Sequence, residues 1–167
     1  MNKLKKIRPP LTSSIVDQLK IGDRIALYGT IYTGRDAALP RLVKSIQHGD
    51  NVLDLEGAVF MHTAVSLAGI APTSSNKPQI ESTIAPLSRA GVRMYIGKGS
   101  LNLDTISILK KYESVYVVTP PLAALLTSKV ISSKMIAFDD EGMEAIYQLK
   151  VEAIPGIVAV IHGDSIY

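Results

Sequence analysis

Two stretches in the C-terminal half, Val115-Tyr-Val-Val and Ile157-Val-Ala-Val-Ile, are apolar at every position and rich in β-branched residues. A strand with one wet face alternates apolar and polar residues, whereas a strand with no polar position is buried on both faces. Covering both faces takes a second layer on each side, so these stretches demand a layered domain. The remaining patterns agree. Arg24-Ile-Ala-Leu-Tyr-Gly-Thr-Ile-Tyr, Val52–Leu55, Ala58–His62, Val92–Ile96, Met135–Phe138 and Glu144–Val151 read as strands. Between them lie helical patterns. Leu11–Lys20 suits a short helix. A helix opening at Thr33 has Thr33 as N-cap, Asp36 three residues on and Pro40 in its first turns. Ile80–Ala90 stops at Gly91, Asn102 caps a helix to Tyr112, and Pro120–Ser128 is a short apolar helix. Alternating helices and strands predict an α/β domain, and the half-buried strands predict a mixed sheet.

At 167 residues the chain suits one domain, expected over residues 11–167 behind a basic arm, residues 1–10, whose Lys3, Lys5 and Lys6 read as solvated. With 47% hydrophobic and 20% charged residues it is not a disordered composition. No apolar run approaches the roughly 18 residues of a membrane span, and no secretory pattern opens the chain, so a cytoplasmic protein is expected. There is no cysteine, which excludes disulfides, thiolate nucleophiles and any cysteine-held cluster in this chain alone. His48, His62 and His162 are too scattered for a metal pattern and read as structural or solvated. A net charge of +3 without tryptophan argues against nucleic acid and suits small anions or an acidic partner.

Three polar loops could carry chemistry. In Tyr32-Thr-Gly-Arg-Asp, Arg35 falls in the first turn of the predicted helix, where the macrodipole already places positive charge. An anion held by Arg35 and the free backbone N–H groups would resolve that misfit, and so would a pairing of Arg35 with Asp36 or another carboxylate. Pro72-Thr-Ser-Ser-Asn-Lys brings the hydroxyls of Thr73, Ser74 and Ser75 together with the Lys77 ammonium, ahead of a helix. Such a loop can cradle a carboxylate or phosphate, or can simply cap the helix. In Gly97-Lys-Gly-Ser the glycines admit a close ligand and Lys98 supplies charge, but the spacing is not that of a nucleoside-triphosphate loop. A surface turn and an unrelated phosphate-binding module remain alternative readings of Gly97-Lys-Gly.

In order, Gly29-Thr-Ile-Tyr-Thr-Gly-Arg-Asp-Ala-Ala, Ala71-Pro-Thr-Ser-Ser, Ala90-Gly-Val-Arg-Met-Tyr-Ile-Gly-Lys-Gly and the tail from Ala137-Phe-Asp-Asp-Glu-Gly-Met-Glu-Ala-Ile to Val158 resemble class I fumarases. From about residue 9 to 167 the chain is similar to the beta subunit, equivalently the C-terminal domain, of iron–sulfur fumarate hydratases and L(+)-tartrate dehydratases. The resemblance implies a swivelling β/β/α three-layer domain with a mixed sheet. It implies a hydro-lyase that hydrates or dehydrates a small hydroxy-dicarboxylate, active only with a cysteine-containing alpha subunit. That partner would carry a four-iron four-sulfur cluster, and this chain would bind no cofactor itself. Neither nucleic acid nor membrane is implied; a hetero-oligomer is, with a contact between two copies left open.

By resemblance, Arg35 matches the arginine of the family's Thr-x-Arg-Asp, Thr73 the first threonine of Gly-Pro-Thr-Thr, and Lys98 the lysine of Gly-Lys-Gly. Thr73 and Lys98 are then the catalytic candidates, with Arg35, Ser74, Ser75, Lys77 and Lys98 on the substrate. The departures are Leu39 where the family has histidine, Ala71 where it has glycine, and Lys77-Pro78 where Arg-Met falls. A lysine keeps the charge but not the bidentate fork of an arginine. A paralogue without catalysis, binding an anion or a protein, is the alternative.

Overall fold

The computed structural model describes residues 3–50, 52–70, 77–120 and 122–167. The first half runs β1 (Lys5–Ile7), α1 (Ser13–Asp17), β2 (Arg24–Thr33), α2 (Leu39–Gln47), β3 (Val59–Met61) and the hairpin β4 (Val65–Ser66) and β5 (Gly69–Ile70). Next come α3 (Lys77–Glu81), α4 (Ile84–Arg89), β6 (Met94–Gly97), α5 (Leu103–Lys111), β7 (Val115–Val118), α6 (Ala123–Ser128) and β8 (Val130–Ala137). A 3₁₀ helix over Asp139–Glu144 leads into β9 (Ile146–Ile161), and β10 (Asp164–Ser165) ends the chain. The molecule is mixed α/β with a mixed sheet, as the sequence patterns predict.

Strands β2, β3, β6 and β7 run parallel in that order. β9 then pairs antiparallel with β7 on one side and with β2 on the other, so the pairing returns to where it began. Ile157 sits at that closure, opposite Arg24 on one side and Val118 on the other. Side chains alternate across the sheet. Val59, Met61, Met94, Ile96, Val115 and Val117 join one apolar cluster with residues of β2 and β9 and with Val16 and Leu126 from α1 and α6. Phe60, Tyr95 and Tyr116, adjacent in register, join the other with Leu42, Ile84, Leu87 and Leu109 from α2, α4 and α5. Both faces of β7 are therefore dry, as its unbroken apolar run requires. The Tyr95 hydroxyl pairs with Ser88 Oγ at 2.8 Å and donates to the Ile84 carbonyl at 3.1 Å, so a phenol can be fully buried there. Burial, relieved in part by Ser88 and the Arg93 charge, raises its pKa above the usual phenol value.

Several local expectations need correction. Thr33 does not cap a helix: it ends β2, and α2 starts at Leu39 with Pro40 in its first turn and no side-chain cap. Pro lacks an N–H, so the first turn is where it fits and where the helix can begin. Arg35 therefore precedes the helix, and the dipole misfit does not arise. Val52–Leu55 is not a strand. The helix expected over Ile80–Ala90 is two short helices, broken around Ser82 and Thr83. Part of the basic arm is not solvated, because β1 pairs parallel with β2. Lys5 donates to Asp23 at 2.7 Å, and Asp23 also accepts from the Lys20 N–H. Burial alone would raise the Asp23 pKa; the Lys5 and Lys20 hydrogen bonds outweigh it and hold the carboxylate below its usual value. Gly91, at φ +123, ends the α4 segment in a conformation a side chain resists, with Glu56 Cα 2.9 Å from where a Cβ would stand.

Candidate functional site: a cationic cavity at the carboxyl edge of the parallel strands

Register places the carboxyl ends of the parallel strands side by side: Thr33 opposite Met61, Met61 opposite Ile96, and Gly97 opposite Val118. Loops leaving this edge carry Arg35 after β2, His62 after β3 and Lys98 after β6. In α/β folds with parallel strands, open or closed, ligands bind beyond the carboxyl ends of the strands, because that edge collects loops from several strands at once.

A cavity of about 390 Å³ opens there, lined among others by His62, Lys77, Glu81, Lys98 and Tyr116. Lys98 is in the exposed loop after Gly97, and its backbone carbonyl is held from two directions. The Tyr116 hydroxyl donates to it at 3.0 Å, and the Lys77 ammonium donates to it as well. The Lys77 Nζ also lies 5.7 Å from the centre of the Tyr116 ring. Gly97 is required by this arrangement: a Cβ there would stand 2.4 Å from the Tyr116 hydroxyl oxygen. At the far end of the loop, Glu81 accepts from the Asn102 N–H at 2.9 Å, while the Asn102 side chain accepts from the Thr105 N–H at 2.8 Å and caps α5. The lysine loop is thus tied to β7, α3 and α5.

Electrostatics follow from burial and crowding of like charge. Burial lowers the Lys77 pKa; Glu81 opposes the shift and Lys98 adds to it. Burial raises the Tyr116 hydroxyl above its usual range, so it stays a donor. His62 is buried, and burial together with the Lys77 charge lowers its pKa to about 3. The ring is neutral at physiological pH.

The structure thus brings Lys77 and Lys98 onto one cavity. Arg35 leaves the same edge two strands away, roughly 10 Å, but does not line that cavity. Its Nε donates to Glu144 at 2.7 Å, with both side chains partly buried. Thr73, Ser74 and Ser75 lie outside the described residues. His62 and Tyr116 were missed as site residues. The signal for them was present, since Tyr116 is in β7 and His62 directly follows β3, the two neighbours of β6, but it needs the strand order to be read. Among the described residues no three His, Cys, Asp or Glu side chains converge to hold a metal ion. With no cysteine in the sequence either, the residues of this chain do not fit an iron–sulfur cluster.

Fold and site together define a mixed α/β domain with a cationic cavity at the carboxyl edge of its parallel strands. The model of the Fumarase C-terminus family matches residues 2–167, and the chain belongs to that family. It is 31% identical to a Methanocaldococcus jannaschii protein named "Putative L(+)-tartrate dehydratase subunit beta", over 94% of this chain and 88% of that one. It is 24% identical to the L(+)-tartrate dehydratase subunit beta of Escherichia coli K12, over 98% and 87%. Against the aerobic class I fumarate hydratase of the same bacterium, identity is 24% over 87% of this chain but 28% of that protein. The chain therefore spans most of the beta-subunit relatives and less than a third of that fumarate hydratase. No helix among the described residues is long and apolar enough to cross a membrane.

Proposed function

We propose that this chain is the beta subunit of a class I hydro-lyase that removes water from a small hydroxy-dicarboxylate to form a carbon–carbon double bond, or adds water across that double bond in reverse. The observation that carries the reading is the placing of Lys77 and Lys98 on one cavity, beside the edge from which the Arg35 loop leaves. A dicarboxylate needs charge-assisted donors at both ends, in a place poor in water. Family membership and the names of the beta-subunit relatives support the same reaction class.

In this reading Lys98 and Lys77 bind carboxylate oxygens, and Arg35, steadied by Glu144, stands ready at the neighbouring loop. Ser74 and Ser75 add hydroxyl donors. Thr73, with Lys98, handles the proton alpha to the carboxylate, by resemblance to the family's Gly-Pro-Thr-Thr and Gly-Lys-Gly motifs. A four-iron four-sulfur cluster on a cysteine-containing alpha subunit would supply the Lewis acid for the departing hydroxide. The chain is then inert alone and works in the cytoplasm as part of a hetero-oligomer. Residues 11–167 act as one unit, a swivelling β/β/α domain closing over the partner; the apolar layers on either face of the sheet support that description.

One observation favours the non-catalytic reading. Leu39, where the family has histidine, is fully buried in the core, so its side chain serves packing alone. Co-expression with the cysteine-bearing gene product decides. The proposal expects a complex that turns over tartrate or malate and slows at least about 100-fold on Arg35→Ala. An active complex indifferent to Arg35→Ala removes that residue from the site, and a complex without turnover favours the paralogue.

A further inference from the structure

His62 is the buried group that the proposed function leaves unemployed. The residue is 5% exposed and lines the cavity with Lys77, and its ring lies 5.8 Å from the Tyr95 ring at a tilt of 36°. Its backbone N–H is fixed to the Ile96 carbonyl at 2.8 Å, so the side chain is placed by the sheet and not by a loose loop. Yet Nε2 is buried and meets no hydrogen-bond partner. Leaving a buried polar atom unpaired is unfavourable. The hydroxyl of the neighbouring Tyr95, by contrast, is paired with Ser88. Because His62 lines the cavity, an occupant of that cavity can supply the missing partner.

We propose that His62 determines specificity by hydrogen-bonding an uncharged hydroxyl of the anion bound between Lys77 and Lys98. The inference rests on the dicarboxylate reading above. The two ammonium groups are the stronger donors for carboxylate oxygens. What remains for a neutral imidazole is an uncharged polar group. Either tautomer is satisfied by a hydroxyl, which both donates and accepts; a carboxylate suits only the tautomer with hydrogen on Nε2. A ligand lacking the hydroxyl leaves Nε2 unpaired in a desolvated place, which is how a site built to read a hydroxyl rejects the analogue without one. His62 therefore acts as a binding group of fixed charge and moves no proton.

L-malate and succinate carry the same two carboxylates and differ by one hydroxyl. Both are titrated into the 167-residue chain while imidazole and lysine side-chain resonances are followed by NMR. Both diacids are expected to shift Lys77 and Lys98. Only L-malate should shift the His62 ring, binding roughly 10- to 100-fold tighter than succinate. In His62→Phe, which keeps an aromatic ring against Tyr95, that preference should vanish while succinate affinity stays. Equal affinities with shifted lysines and an unmoved His62 overturn the role of His62 and leave the dicarboxylate reading intact. Lysines unmoved by either diacid overturn both. The wild-type spectra decide even if the variant folds poorly.

Discussion

At the scale of single residues, the site depends on how tightly Gly97 and Tyr116 approach. The Tyr116 ring is 2% exposed and cannot swing aside, and a Cβ at position 97 would meet its hydroxyl at 2.4 Å. Gly97→Ala is expected to destabilise the fold by about 1–3 kcal/mol in denaturant melts, as overpacking of a dense core does. It should also weaken diacid binding, because the Lys98 carbonyl loses its Tyr116 donor. An unchanged melt would show that the loop yields freely. His62 contributes to the acid limb of stability. Its folded pKa, about 3, lies below its ordinary value of 6.5, so the unfolded chain binds more protons between the two. Stability attributable to the neutral ring is full above about pH 6.5 and drains as pH falls toward 3. His62→Phe should flatten the melting profile across that window; an identical slope in the variant would contradict a buried neutral ring.

Among elements, α5 shows how a helix can anchor a loop. The Asn102 side chain caps it while the Asn102 backbone N–H donates to Glu81 of α3, so Asn102→Ala, which removes only the cap, should cost about 1 kcal/mol in thermal unfolding. A melting curve equal to wild type would mean that the cap is redundant. Apart from Val52–Leu55, the expected strand runs meet strands of the structure, and these runs and the Asn102 cap were legible in the sequence because their signals are local. β9 was not legible as one strand. Glu144–Val151 and Ile157–Ile161 read as two, divided by Pro155-Gly156, yet a single strand runs through. Proline is tolerated there because one side of β9 has no ladder partner between Glu152, whose N–H donates to Lys129, and the start of its β7 register at Ile157. Thr33 was misread for a related reason: a hydroxyl before Gly-Arg-Asp has the chemistry of a cap, and only the pairing with Met61 and Tyr147 makes it a strand end. The Glu144 partner of Arg35 is 109 residues away in sequence and no local rule reaches it.

For the whole molecule, the closed pairing of β2, β3, β6, β7 and β9 puts loops that are far apart in sequence at one edge. That is why short polar motifs could suggest a common site before any strand order was known, and why Arg35 and Lys77 still differ in what they line. Among the described residues the site offers cations and a neutral imidazole, and the account assigns the departing hydroxide to the partner subunit's cluster, which makes the site one half of an active centre. The direct measurement is dehydration of tartrate or malate by this chain alone, by its complex with the cysteine-bearing partner, and by that complex carrying Lys98→Met. The account predicts no turnover from the chain, turnover from the complex, and a loss of about 100-fold or more with Lys98→Met at unchanged melting temperature. Turnover by the chain alone, or a Lys98→Met complex as fast as the unmodified one, would contradict it.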